Sequence, residues 1–388
     1  MNRFFTQQWP RMLFGAGTAL ELGAQCAAMG VKRVMAVYGG HLARSGEADR
    51  IFKTLEAEGI AVEHFQNAEP ESPDYVVERL GKAIADCGAD CVAAIGGGSA
   101  IDTARAAALY SQCADIPFSA CQEKGFVPLT EEQLQAVKLV CVPTTAGTGA
   151  EMSAGGPLLN TKTNVKGGPF FGPKTAELVI LDPELTVGLP PMLTYTTAMD
   201  ALAHAIEGMT GKLRSPRSDL FCGQAVEYIW RSLPKVLADG KDLEARGELL
   251  LAASYAIGVE TLRHLGHAVG QPVGGMFHIA HGQTCALALP PTVRAIAHAP
   301  EAERELRLIA EKMKLDAASP TVGEAIAAAI ENRNREMGVQ SLKELGLSFD
   351  EVKKTLPQIM ADGRLLPNAP VEATTEVVEG ILRGMYEY

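Results

Sequence analysis

Short apolar runs alternate with helical periodicity through the first half of the chain. Val31 to Tyr38 reads as a strand that closes on a Gly39-Gly40 turn, and Ala61 to Phe65 reads as a second, with a helix-like stretch from Ser72 to Cys87 after it. Cys91 to Ile95 is almost wholly apolar, as expected of a strand covered on both faces. Lys138 to Pro143 and Leu178 to Leu181 repeat the signal. Strands and helices in this alternation imply right-handed crossovers and a mostly parallel, layered sheet. Past Leu189-Pro190-Pro191 the period becomes 3.6, Ala, Leu and Glu dominate, and strand candidates become few. The reading is an α/β domain over residues 1–188 and an all-helical domain over residues 189–388, hinged at the double proline. The run Ala325 to Ile330 is a good helix former, not low complexity.

Composition narrows the function classes. A chain of 388 residues suits two domains, and 47% hydrophobic with 21% charged residues is an ordinary globular mixture. The net charge of -11 argues against nucleic-acid binding, which needs a basic surface. Eight cysteines are scattered without a paired framework, and Cys87 with Cys91 lacks a second pair to complete a zinc cage. They read as reduced thiols, so a cytoplasmic protein is expected. The first ten residues lack the apolar core of a signal peptide, and no run is long enough to cross a bilayer, so no membrane association is expected.

Two loops carry candidate nucleotide chemistry. In Ile95-Gly96-Gly97-Gly98-Ser99-Ala100-Ile101-Asp102 a buried strand runs into three glycines and directly into a helix. Glycine lets main chain approach a ligand and the helix start offers free N–H groups, so phosphate is the expected guest, although the spacing is not G-x-G-x-x-G. The bland alternative is a tight turn capped by Ser99. Pro143-Thr144-Thr145-Ala146-Gly147-Thr148 is a polar loop after another apolar strand, where ligands bind in open α/β sheets. Asp200 and His204 are four apart on a helix and project from one face, suited to a shared divalent ion or to a plain exposed pair. His267 and His281, fourteen apart, would stand about 21 Å from each other on one straight helix. They converge only if the chain turns between them, and Gly274-Gly275 offers the place; His264 and His278 are equally placed rivals.

Together these segments resemble the iron-containing (group III) alcohol dehydrogenase family, lactaldehyde-reductase-like, over nearly the whole chain. Besides the two loops, the likeness rests on Asp182-Pro183-Glu184-Leu185-Thr186, on Met199 to Gly208, and on the His267 to His281-Gly282 spacing. It implies a nucleotide-binding α/β domain, a helical domain (the dehydroquinate synthase-like architecture) and an active site between them. It puts a metal on Asp200, His204, His267 and His281, iron(II) by expectation with zinc(II) possible. It assigns Gly97, Gly98, Ser99 and Asp102 to the pyrophosphate segment, Thr144, Thr145 and Thr148 to the cofactor cleft, and Lys166 to the adenosine ribose. It also implies a homodimer or larger assembly. The activity implied is metal-dependent interconversion of a small aldehyde or ketone and its alcohol with NAD(P)(H).

Two positions depart from the family pattern. Gln271 stands where many members carry a further histidine near the substrate, and His278 is the candidate to replace it in proton transfer. Gly39 stands where members preferring NAD(H) often place an aspartate against the ribose, so NADP(H) is expected to be accepted and slightly favoured. Rival readings are a metal-free maleylacetate-type reductase, a dehydroquinate-synthase-like lyase and a non-catalytic nucleotide-binding protein. Arg263 and His264 face either substrate or solvent in this reading, and Phe118, Phe171 and Phe277 are candidates to line the pocket.

Overall fold

The computed structural model describes residues 9–66, 69, 71–162, 165–167, 171, 173–258 and 262–388, without the side chains of residues 41, 124, 165 and 166. Residues 1–8, and with them most of the segment read as lacking a signal-peptide core, lie outside the described residues. The chain divides into two compact units. One comprises residues 8–145 and 149–188; the other contains residues 146–148 and 189–388.

In the first unit a six-stranded sheet has the order β1-β8-β5-β4-β2-β3, every pairing parallel. Its strands are β1 (Arg11–Phe14), β2 (Arg33–Tyr38), β3 (Ala61–Phe65), β4 (Cys91–Gly96), β5 (Lys138–Pro143) and β8 (Leu178–Leu181). A separate antiparallel pair joins β6 (Leu158–Asn160) to β7 (Val165–Gly167). The central strands are buried along almost their whole length, which is why their sequences show apolar runs and no alternation. Two pieces escape the sequence pattern. β1 is a four-residue edge strand with exposed ends, and β6 and β7 have three residues each, too short for periodicity to register.

The second unit is helical: among the described residues no strand follows Leu181. Its central helix, Pro191–Thr210, starts with proline at a first-turn position, where the missing N–H would have no partner. From Thr194 to Thr210 only Thr197 is not buried, so this helix is covered all round. Helices Pro216–Ala238, Leu243–Ile257 and His281–Ile296 pack against it, and Leu265–Phe277 packs against His281–Ile296. Among the described residues no helix is long and apolar enough to cross a membrane.

Candidate metal centre and nucleotide loops

The turn that brings His267 back to His281 is not at the two glycines. The Leu265–Phe277 helix runs straight through Gly274-Gly275 and ends at His278, whose φ of 54° is left-handed. That conformation stops a helix, and here the Ile279 N–H bonds back to the Gly274 carbonyl in the manner of a helix C-cap. Gly274 serves close packing instead, since a Cβ there would lie 3.1 Å from the Ile279 carbonyl oxygen. Three residues later His281 opens the next helix. That helix is pressed against the central one at Gly282, where a Cβ would sit 2.4 Å from the Thr196 carbonyl oxygen.

This packing gathers a tight donor group. Asp200 Oδ1 is 3.4 Å from His267 Nε2 and 3.4 Å from His281 Nε2. The group whose donor atoms all lie within 4.8 Å of one another is Asp200, His267, His281 and Cys285. His204 adjoins it: its Nε2 is 3.6 Å from Asp200 Oδ1 and its ring stacks on His267 with centroids 4.5 Å apart. His204 Nδ1 is buried without a hydrogen-bond partner. Asp200, His204, His267 and Cys285 are all buried, whereas the His281 side chain is 33% exposed, so the group opens on the His281 side.

Glu207 aims the set. It is wholly buried, one turn past His204, and accepts from the Gly266 and His267 main-chain N–H groups and from His267 Nδ1 at 2.6 Å. Holding a proton on Nδ1 means that the proton His267 would give up to a bound cation is the one on Nε2, the arrangement by which outer carboxylates orient histidine ligands. Burial would raise the Glu207 carboxyl, but His267 and the Gly266 N–H bring it down to about 2. Glu207 lies within the Met199–Gly208 stretch, yet a glutamate on a helix has no periodic signature that separates it from a surface charge.

The charges around the donor group are mutually dependent. Burial would raise the Asp200 carboxyl, yet His204 and His281, with hydrogen bonds from His267 and His281, hold it well below the ordinary range. Burial would depress His267, but Cys285, Glu207 and Asp200 raise it well above the usual imidazole value, and Cys285 and Asp200 raise His281 against the same opposition. His204 goes the other way because burial dominates there. One buried carboxylate collecting imidazoles around a common point fits a divalent first-row cation, which displaces protons from such donors when it binds.

His264 proves structural. Its Nδ1 accepts from the Leu265 N–H at 2.8 Å and its Nε2 lies 2.9 Å from Thr210 Oγ1, whose hydroxyl donates to the Ile206 carbonyl. This pattern requires a neutral ring protonated at Nε2, and burial depresses its pKa accordingly. It faces neither substrate nor solvent. Neighbouring Arg263 has its Nη1 buried with no hydrogen-bond partner. Gln271 and His278 are exposed, Gln271 one turn beyond His267 on the same helix.

In the α/β unit the two polar loops lie side by side. Gly96 at the end of β4 pairs with Pro143 at the end of β5, and the Thr144 N–H donates to the Gly96 carbonyl at 3.0 Å. Thr145 Oγ1 lies 3.3 Å from where a Cβ on Gly97 would be. Gly97 caps the Gly98–Tyr110 helix without any side-chain hydrogen bond. Ser99 does not cap that helix; its Oγ accepts from the Glu71 N–H and its carbonyl from Ser72 Oγ, both at 3.0 Å, holding a left-handed turn at residues 71–72. Asp102 is paired with Arg105 Nη1 at 2.7 Å and pressed by Gly156, where a Cβ would approach its carboxylate to 2.1 Å. Gly39 caps a short helix, Gly40–Ser45, directly after β2. Thr148 belongs to the 146–148 segment of the helical unit, and the Lys166 side chain lies outside the described residues. Phe118 and Phe171 form a buried trio with Tyr110, ring centroids 5.2 and 6.0 Å from its ring, so they are core and not pocket lining; Phe277 is partly exposed.

Two family models match the chain in succession: iron-containing alcohol dehydrogenase over residues 10–183, and the C-terminal domain of the Fe-containing alcohol dehydrogenase family over residues 194–386. The chain belongs to the iron-containing alcohol dehydrogenase family. It is accordingly an NAD(P)-dependent oxidoreductase of the alcohol dehydrogenase class. A choline dehydrogenase of Bacillus subtilis (strain 168) is 31% identical over 95% of this chain and 92% of its own length. An NAD-dependent methanol dehydrogenase of Bacillus methanolicus is 28% identical over 98% of both. A solved structure of 1,3-propanediol oxidoreductase is 26% identical and superposes with a TM-score of 0.88, covering 99% of this chain and 100% of that one. Iron-containing alcohol dehydrogenases thus share this chain's architecture along its full length.

Proposed function

We propose that this alcohol dehydrogenase holds a divalent cation, iron(II) or zinc(II), on Asp200, His204, His267 and His281, and interconverts a small aldehyde or ketone with its alcohol. The observation carrying the proposal is the pair of 3.4 Å approaches of His267 Nε2 and His281 Nε2 to one buried carboxylate oxygen. When bound, the cation supplies Lewis acidity toward the substrate oxygen, and the nicotinamide supplies or accepts hydride. Asp200 contributes the negative charge that lowers the ion's net charge, while Glu207 keeps His267 Nε2 free to donate. The part-exposed His281 marks the side left open for substrate, which a catalytic site requires. Gln271 and His278, both exposed, stand where a proton exchanges with solvent.

In the α/β unit, the uncapped first turn of the Gly98–Tyr110 helix suits the cofactor pyrophosphate, with Gly97, Gly98, Thr144 and Thr145 beside it. Asp102, Thr148 and Lys166 complete the proposed nucleotide set, and Ser99 contributes by holding the adjacent 71–72 turn. The absence of a carboxylate at Gly39 supports acceptance of NADP(H) as well as NAD(H).

Asp200 also weighs against a metal-free reductase, because a buried carboxylate among imidazoles serves no evident purpose without a cation to share. Chelator-stripped enzyme is assayed with added Fe(II) or Zn(II) beside Asp200→Ala. The expected result is metal-dependent turnover in the wild type, and loss of metal and activity in the variant with nucleotide binding retained. Wild-type turnover by metal-free Asp200→Ala overturns the proposal.

A further inference from the structure

Cys285 was assigned no role by the sequence, one turn beyond His281 on the same helix face. It is 2% exposed. Its Sγ lies 3.4 Å from Asp200 Oδ1, 3.6 Å from His281 Nε2 and 3.9 Å from His267 Nε2. An ion bound tetrahedrally, with metal–nitrogen and metal–oxygen lengths of about 2.0–2.1 Å and metal–sulfur of about 2.3 Å, sets its donors about 3.3–3.6 Å apart. The three Cys285 distances and the two 3.4 Å histidine–aspartate distances cluster around that range, with His267 slightly wide. A thiol that merely filled the core would have no reason to stand 3.4–3.9 Å from three metal-type donors at once.

We infer that Cys285 Sγ is a direct ligand of the cation, completing with Asp200, His267 and His281 the four donors within 4.8 Å of one another and taking the position that the proposed set gives to His204. The inference rests on the proposed metal-dependent reading. On coordination the thiol proton leaves to solvent and the sulfur donates as thiolate. A soft donor added to imidazoles and one carboxylate shifts the preference of the centre toward zinc(II) over iron(II). The part-exposed His281 side remains the side open to substrate, which would add there as a fifth ligand.

The test is the absorption spectrum of the full-length enzyme loaded with cobalt(II) in place of its native ion. Wild type is expected to show visible ligand-field bands together with a near-ultraviolet thiolate-to-cobalt charge-transfer band. Cys285→Ala and the closer isostere Cys285→Ser are expected to keep the ligand-field bands and lose the charge-transfer band. Their zinc(II) affinity, from titration against a competing chelator, is expected to fall by more than the about 10–100-fold that loss of an outer partner costs, and their zinc-over-iron preference in competitive anaerobic loading to fall with it. Ligand-field bands without a charge-transfer band in the wild type overturn the Cys285 assignment and leave the metal centre standing. No cobalt bands at all overturn the metal centre itself, and this inference with it. The wild-type spectrum decides even if neither variant folds.

Discussion

Glu207→Gln isolates the group that aims the metal centre. Glu207 accepts from the Gly266 N–H, the His267 N–H and His267 Nδ1. A glutamine there has one accepting oxygen and one donating NH₂. If its oxygen faces the main-chain N–H groups, the NH₂ meets Nδ1, which must then accept, moving the imidazole proton to Nε2 and removing the donor lone pair beside Asp200. If it is flipped, the NH₂ opposes two main-chain donors in a fully buried site. Either arrangement weakens the ligand, and loss of such an outer partner lowers metal affinity about 10–100-fold, or about 1.4–2.7 kcal/mol. Zinc(II) titration against a competing chelator reads this directly, with kcat/KM on metal-replete enzyme as a second readout and NAD(P)H fluorescence as a control expected not to move. An acid-unfolding arm uses the same variant. The Glu207 carboxyl is held down from 4.5 to about 2, so it stabilises the fold fully above pH 4.5 and loses that contribution as pH falls toward 2. Metal-free wild type should therefore lose stability more steeply than Glu207→Gln through that window. Unchanged zinc affinity in Glu207→Gln would refute the aiming role.

Two further outcomes follow from particular contacts. Gly282→Ala places a methyl 2.4 Å from the Thr196 carbonyl oxygen and must push the two ligand-bearing helices apart; the expected cost is about 1–3 kcal/mol, visible as a Tm lowered by several degrees together with weakened metal retention, and a Tm equal to wild type would contradict it. With Gly39 at the end of β2, the Michaelis constant for NADPH should be equal to or below that for NADH in steady-state assays; a value far above it would remove the argument from the missing carboxylate.

How much of this was legible beforehand varies with the physics involved. The α/β-then-helical order followed from local pattern, because strands buried on both faces must be apolar and a helix covered all round must lack a polar stripe. Asp200 and His204 were readable as a pair, since four residues on a helix always share a face. His267 and His281 were readable as partners only through resemblance, and even then the turn was misplaced: Gly274-Gly275 looked like the break, whereas a left-handed histidine at 278 makes it. Ser99 read as part of the pyrophosphate segment, with a helix cap as the alternative, and His264 as a rival ligand position; their hydrogen bonds go to a distant turn and to Thr210.

Sequence alone therefore determined the central strands, the change from α/β to helical texture and the family, all of which depend on periodicities and spacings of a few residues, but not the short strands β1, β6 and β7. Only the tertiary structure decided which side chains meet. Glu207 reaches His267 across sixty residues and Cys285 reaches Asp200 across eighty-five. Such contacts depend on how closely helices approach, which is set by glycines such as Gly266 and Gly282 and by the packing around them. No local pattern encodes that distance, because the same glutamate or cysteine on an exposed face would have left the sequence signal unchanged.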